Sequence, residues 1–319
     1  MKYRKLGPTG LKVSEISFGS WMTYGHTVGQ DTGAKLVDRA FELGINFIDT
    51  ANVYERGEAE RMLGEVLPRY PRESYVLATK AYWPMGEGPN DRGLSRKHVY
   101  EQLNASLKRL KQDYVDIFYC HRYDPDTRLE ETLRTIEDFV RQGKVLYVGV
   151  SEWTGAQIQE ALQVADKYLL DRIVVNQPQY NMFYRNIERD VLPVSEKNGL
   201  SQVVFSPLAQ GALTGKYRLG QQLPADSRAA DPKTNMWIKG FLTDAHLQKV
   251  ERLDAVAKEL DLSLSTLAIA WILRHESVAS ALVGGHEDVP ARRKRQSVRR
   301  LALAGDDRPH RGDPGLKLS

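Results

Sequence analysis

A single cysteine in 319 residues, Cys120, leaves no pair from which an intramolecular disulfide could form. The N-terminus, Met1-Lys2-Tyr3-Arg4-Lys5 running into Gly7-Pro8, lacks the apolar core of a secretory signal, and the cytoplasm is the expected compartment. No apolar run approaches the roughly 18 to 20 residues that cross a bilayer, so no direct membrane insertion is expected. The seven histidines show no metal-ligand spacing, and no metal is expected. A Gly-x-Gly-x-x-Gly motif after the first strand-like run is also missing, which argues against an open, doubly wound dinucleotide fold.

What remains is ordinary globular composition, with 41% hydrophobic residues in a length sufficient to bury a large core. The net charge of +4 is unevenly spread. Residues 286–319 hold nine Lys/Arg against five Asp/Glu, which accounts for all of it and leaves 1–285 neutral. The positive charge therefore says nothing about the body of the chain, for which no nucleic-acid partner is expected.

After a predicted hairpin around Gly7-Pro8-Thr9-Gly10, apolar strand-like runs alternate with amphipathic stretches. Eight strands are read, near 16–20, 46–49, 75–80, 114–121, 145–151, 173–177, 201–206 and 280–284. Helical patterns fall between them, for example over 31–43, 95–110, 154–168 and 263–274, with Thr127 and Thr132 flanking another start and one more beginning near Thr243. Such alternation implies a parallel sheet covered by helices, and eight strands favour a closed α/β barrel, the (β/α)8 or TIM barrel, over an open sheet. In that architecture chemistry sits at the C-terminal strand ends. The runs end at Asp49 (followed by Tyr54), Lys80, His121, Ser151, Asn176-Gln177 and Phe205-Ser206, so these residues are predicted to share one rim.

Asp49, Tyr54, Lys80 and His121 together have the means to protonate a carbonyl oxygen as hydride reaches its carbon. A phenol is too weak an acid at neutral pH, and the Lys80 ammonium is expected to lower its pKa. Asp49 would keep a buried Lys80 charged, and His121 would orient the carbonyl oxygen. Taken singly, each residue reads more readily as a cap, a packing aromatic, a solvated strand end or a core histidine; the four together at strand ends point to chemistry. Cys120, one position before His121, should face the helix layer as a core residue when His121 faces the barrel axis.

Phe47-Ile48-Asp49-Thr50-Ala51-Asn52-Val53-Tyr54 with Gly57-Glu58-Ala59-Glu60, Ala78-Thr79-Lys80, and Tyr114-Val115-Asp116-Ile117-Phe118-Tyr119-Cys120-His121-Arg122 resemble the signatures of the aldo-keto reductase family. Gly149-Val150-Ser151-Glu152-Trp153, Asn176-Gln177-Pro178-Gln179-Tyr180-Asn181 and Phe205-Ser206-Pro207-Leu208-Ala209-Gln210-Gly211 are similar to its branch of voltage-gated potassium channel β-subunit-like proteins and their bacterial relatives. The resemblance spans about residues 2–285. It implies an NADPH-dependent reductase of aldehydes or ketones, with Asp49, Tyr54, Lys80 and His121 as catalytic residues.

For the cofactor, the resemblance implies Phe205 stacked on the nicotinamide, with Ser151 and either Asn176 or Gln177 at its carboxamide. Ser206, Pro207, Leu208, Gln210 and Gly211 would line the pyrophosphate path, followed by Leu213 and Lys216. Arg228 would meet the adenosine or its 2′-phosphate, and Gly284 would lie beside the dinucleotide at the last strand end. The long stretch before Thr243, containing Pro224-Ala225-Asp226-Ser227-Arg228, would close over the cofactor as a lid. Tyr24, Trp83, Tyr123 and Trp237 are candidates to shape the substrate pocket, with simple packing the competing reading for each. A small carbonyl compound is the expected partner, and the family includes homo-oligomers. A second implied function is a nicotinamide-binding regulatory subunit that docks on a membrane channel. A third is an inactive relative with a damaged cofactor site.

Beyond Val283-Gly284-Gly285 the resemblance breaks. The family would continue with Gln, a Glu-Asn pair at the adenine and a final amphipathic helix, whereas this chain reads His286-Glu287-Asp288-Val289-Pro290-Ala291-Arg292-Arg293-Lys294-Arg295. Codons that encode Gly285–Arg295 can be chosen so that a one-base shift gives Gly-Thr-Lys-Thr-Ser-Gln-Leu-Asp-Glu-Asn. Codons for His310–Gly315 can likewise yield Ile-Glu-Glu-Ile-Leu. A frameshift near residue 285 is therefore expected to divide the chain into a barrel, 1–285, and an aberrant basic tail, 286–319, that is poorly ordered.

Overall fold

The computed structural model describes residues 1–21, 30–225 and 227–284. Its first feature is an antiparallel hairpin, β1 (Tyr3–Lys5) paired with β2 (Lys12–Ser14). Leu6 and Val13 at its turn are fully buried against Phe47, Ile117 and Tyr119, so the hairpin plugs one mouth of the molecule with apolar side chains. Gly7 makes this possible. Its φ of +57° suits glycine, its N–H donates to Ser201 Oγ at 2.7 Å, and a Cβ there would lie 2.4 Å from the Val174 carbonyl oxygen.

Eight parallel strands follow: β3 (Ile16–Gly19), β4 (Phe47–Asp49), β5 (Val76–Ala81), β6 (Val115–Cys120), β7 (Val145–Ser151), β8 (Val175–Gln177), β9 (Ser201–Val204) and β10 (Val278–Val283). Each pairs with its sequence neighbours, and β10 pairs with both β9 and β3 to close the barrel. The described α-helices are α1 (Gln30–Glu42), α2 (Glu58–Val66), α3 (Arg96–Leu110), α4 (Leu129–Arg141), α5 (Gly155–Tyr168), α6 (Val191–Asn198), α7 (Asp244–Glu259) and α8 (Leu264–Ile272), with short 3-10 turns in the connections. The predicted (β/α)8 barrel with an N-terminal hairpin is the fold of this protein. Among the described residues no helix is long and apolar enough to cross a membrane.

Period-two alternation divides the core. Phe47, Ala78, Ile117, Tyr119, Val175 and Val203 fill the barrel, while Phe118, Cys120, Val99, Leu103, Phe139 and Ile158 pack between strands and helices. Cys120 thus faces the helix layer, and burial pushes its thiol up to about 12. Gly149 is the empty partner of a full position: a Cβ there would stand 2.5 Å from the Tyr119 ring and 2.9 Å from Val175.

The boundaries differ from the sequence reading in instructive ways. The last strand starts at Val278, two residues early, where its pairing with β9 shifts register. Ser95, Thr154, Thr243 and Ser263 cap their helices by accepting a backbone N–H. Thr127 and Thr132 do flank the start of α4 yet cap nothing: the first bonds Asp124, the second the Leu94 carbonyl. The predicted order of the 286–319 tail, and the helix it replaces, lie outside the described residues.

Candidate active site

With the hairpin sealing the N-terminal mouth, the strand C-termini open on a cleft of about 650 Å³. At its floor lies a chain of polar groups. Lys80, at the end of β5 and wholly buried, forms an ion pair with Asp49 at the end of β4 and donates to the Thr50 carbonyl at 2.8 Å. Its ammonium is 3.4 Å from the Tyr54 hydroxyl. The second Asp49 carboxylate oxygen accepts from Gln177 Nε2 at 2.8 Å. Gln177, Asp49, Lys80 and Tyr54 therefore form one hydrogen-bonded line from β8 to the loop after β4. That loop is anchored from below, because Glu60 in α2 is fully buried, pairs with Arg109 at 2.6 Å and accepts from Thr79.

Burial sets the charges. It is the largest single influence on Lys80 and would strip its proton, yet the Asp49 carboxylate and the Tyr54 hydroxyl together outweigh it and hold the Lys80 pKa above its ordinary value. Asp49 is raised by burial, with Lys80 pulling against it. The Tyr54 phenol is also raised, because burial outweighs the Lys80 charge and the Asp49 carboxylate adds to the rise. The expected lowering of this pKa is therefore not what the structure has. Lys80 carries its own counter-ion, so much of its field is spent on Asp49. Across the cleft, burial and then Lys80 and Arg122 drive His121 well below the ordinary histidine range. It is a neutral imidazole at physiological pH, with Nδ1 buried and without a partner among the described residues and its ring edge-on to Tyr54 at 5.9 Å.

The upper wall is backbone under strain. Glu55, Glu152, Ser206 and Gln210 all line the cleft with positive φ, as few non-glycine residues do. Ser206, Ala209, Gln210 and Gly211, at φ of 57, 48, 59 and 104°, share the left-handed conformation from which anion-binding concavities are built. Phe205 and Leu208 offer apolar surface beside them, and Arg228 lines the same wall with Nη1 bonded to Gln210. A flat ring at one end and an anion further along would fit these residues, which suits a dinucleotide.

The aldo/keto reductase family profile matches residues 15–293 of the chain. The chain belongs to the aldo/keto reductase family. A relative from Oryza sativa subsp. japonica, named a probable voltage-gated potassium channel subunit beta, is 42% identical over 291 residues, covering 90% of this chain and 88% of the relative. One of the same name from Arabidopsis thaliana is 42% identical over 287 residues, covering 89% and 87%.

Of the residues expected at the site of this aldo/keto reductase, Asp49, Tyr54, His121, Ser151, Gln177, Phe205, Ser206, Pro207, Leu208, Gln210, Arg228, Gly284, Trp83 and Trp237 line the cleft, with Lys80 directly beneath. Of Asn176 and Gln177 it is Gln177 that lines the cleft; Asn176 lies on the other face of β8 and bonds Gln202 at 3.2 Å. Gly211, the last of that left-handed run, and Leu213 are buried, and Lys216 is exposed with its ammonium over the Tyr217 ring; none of the three lines the cleft. Tyr123 packs edge-on to Trp153 and bonds Glu160 instead of facing the pocket. Tyr24 lies outside the described residues. The long segment before α7 contributes Arg228 and Trp237 to the cleft lining, and Trp237 meets Trp21 edge-on at 5.4 Å.

Three charged residues of the lining were missed, Glu55, Arg122 and Glu152, although the last two stand inside quoted motifs. Arg122 follows the last residue of β6 by two, so strand alternation no longer governs its direction, and its side chain folds back over the cleft.

Proposed function

We propose that this chain reduces small aldehydes or ketones to alcohols with NADPH, and that Tyr54 is the proton donor. The observation that carries this reading is the continuous line Gln177, Asp49, Lys80, Tyr54, ending on the cleft opposite a neutral His121. Bound NADPH would supply the hydride that forms the new C–H bond. Phe205, Ser151 and Gln177 would hold its nicotinamide end, and Ser206, Leu208, Gln210 and Arg228 its phosphates.

The carbonyl oxygen fits between the Tyr54 hydroxyl and the ring of His121. A neutral imidazole donates one hydrogen bond to that oxygen without protonating it, which polarises the carbonyl. As the C=O bond becomes an alkoxide, the phenol proton passes to oxygen and the O–H bond of Tyr54 breaks. An alkoxide is far more basic than a phenolate, so even a phenol above its ordinary pKa gives up its proton. Lys80 stabilises the phenolate left behind, and the open cleft lets solvent return the proton. A raised phenol pKa also keeps Tyr54 charged with its proton before each turnover.

A second reading rests on the names of the relatives: a nicotinamide-binding subunit that associates with a potassium channel. Turnover separates the two. NADPH consumption by the purified chain, measured against an aldehyde panel beside Tyr54→Phe, should fall by about 10²- to 10⁴-fold in the variant. Cofactor binding without turnover in either protein would refute the reductase and leave the subunit.

A further inference from the structure

Arg122 is a cation at the reaction centre for which the tetrad has no use. It lines the cleft beside Tyr54 and His121, half-buried, with its guanidinium 5.3 Å above the Trp83 ring. One nitrogen, Nη1, donates to the His121 carbonyl at 2.5 Å and makes a long contact of 3.5 Å with Ser151 Oγ. Among the described residues Nε and Nη2 have no hydrogen-bond acceptor, and no carboxylate lies within ion-pair distance. Glu152, Tyr54 and Tyr82 are the groups that exert an attractive field on it. The Glu152 carboxylate, however, accepts from the Gln179 backbone N–H.

A partly desolvated guanidinium without a counter-ion is costly, and the remedy is an anion that arrives with a ligand. The geometry suits a planar one. A guanidinium tied through Nη1 to the His121 carbonyl and lying over an indole has its remaining N–H groups to offer as a fork, which matches a carboxylate with two parallel bonds. We propose that Arg122 selects substrates in which a carboxylate accompanies the reacting carbonyl, so that the preferred substrates are oxo acids. The chemistry of turnover rests on the reductase reading above; the anion site does not. The spacing within the cleft ties the two together, since Trp83 lies 6.3 Å from His121 and His121 5.9 Å from Tyr54, centre to centre. Arg122 and Tyr54 line the same cleft, so one short molecule can present a carboxylate to the first and a carbonyl to the second.

Two measurements test this. The first is calorimetric binding of benzoate and of its neutral isostere benzamide to the intact chain and to Arg122→Met, with the thermal transition of the variant recorded to show that it folds. Benzoate affinity should drop about tenfold or more in Arg122→Met, while benzamide does not distinguish the two proteins. The second is kcat/KM for 4-formylbenzoate against its methyl ester. The acid-to-ester ratio should fall at least tenfold in Arg122→Met, and Arg122→Lys, which keeps the charge but not the fork, should lie between. A merely structural role through the His121 carbonyl would slow acid and ester alike and leave the ratio unchanged, which overturns the proposal. So does benzoate binding that is absent or insensitive to Arg122→Met. Arg122-dependent benzoate binding with no aldehyde reduced would keep the anion site and sink the reductase.

Discussion

Replacing Lys80 by methionine removes a cation from a place that water does not reach. The Lys80 side chain is 0% exposed and its partner Asp49 3%, so the variant strands a carboxylate in a low-dielectric interior with only the Gln177 amide to bond it. Breaking a buried pair on one side costs about 3–5 kcal/mol, whereas replacing both members by neutral groups of similar shape costs little. Lys80→Met should therefore lose about 3–5 kcal/mol, and Asp49→Asn combined with Lys80→Met should recover most of it. The assay is denaturant unfolding followed by tryptophan fluorescence, with the m-value checked for constancy. The loss also has a sign in pH. Burial already raises Asp49, and without Lys80 nothing charged opposes the rise. A carboxyl whose folded pKa lies above its unfolded one is penalised when ionised and relieved when protonated. The Lys80→Met deficit should thus be largest at neutral pH and shrink on acidification toward the ordinary carboxylate range. A loss below about 1 kcal/mol, or a double variant no more stable than the single, would refute this account of the pair.

His121 gives a second pH test: its folded pKa lies well below the unfolded value near ~6.5, so its contribution is lost as pH falls through that value. His121→Asn should lose stability less steeply than the native chain between about pH 6.5 and 5, by up to ~1.4 kcal/mol per pH unit, and equal slopes would contradict the assignment. Gly149→Ala puts a methyl 2.5 Å from the Tyr119 ring and should cost about 1–3 kcal/mol in the same unfolding assay, with no loss marking a barrel interior looser than described. We infer that the sequence after Gly285 is read in a shifted frame. DNA sequencing of this region should reveal codons that give Gln and Glu-Asn when shifted by one base, and the frame-restored chain should bind NADPH more tightly; incompatible codons end that explanation.

The barrel was legible because each strand is a short apolar run that stops at a polar residue, and Asp49, Lys80, His121 and Ser151 are those stops. Gln177 could not be separated from Asn176 by sequence, since either can end the strand. The pairing of Ser151 with Gln177 across β7 and β8 settles which one faces inward. The Tyr54 pKa was misjudged because sequence shows the ammonium that lowers it and not the burial that raises it. Gly211, Leu213 and Lys216 stay off the cleft lining for another reason: in the long connection after β9 no periodicity fixes direction, so neighbours along the chain need not be neighbours on the wall. Arg122 went unnoticed because it lies just past the end of β6, where alternation ceases to predict anything.

The central claim is that Tyr54 protonates a carbonyl as hydride from NADPH reaches it. Deuterium transfer from NADPH deuterated at both C4 positions to an aldehyde tests it most directly, with cofactor affinity measured in parallel. The account predicts one deuterium on the alcohol carbon from the native chain, and transfer slowed about 10²- to 10⁴-fold in Tyr54→Phe at unchanged cofactor affinity. Cofactor bound with no label transferred by the native chain, or equal transfer by both proteins, would contradict it.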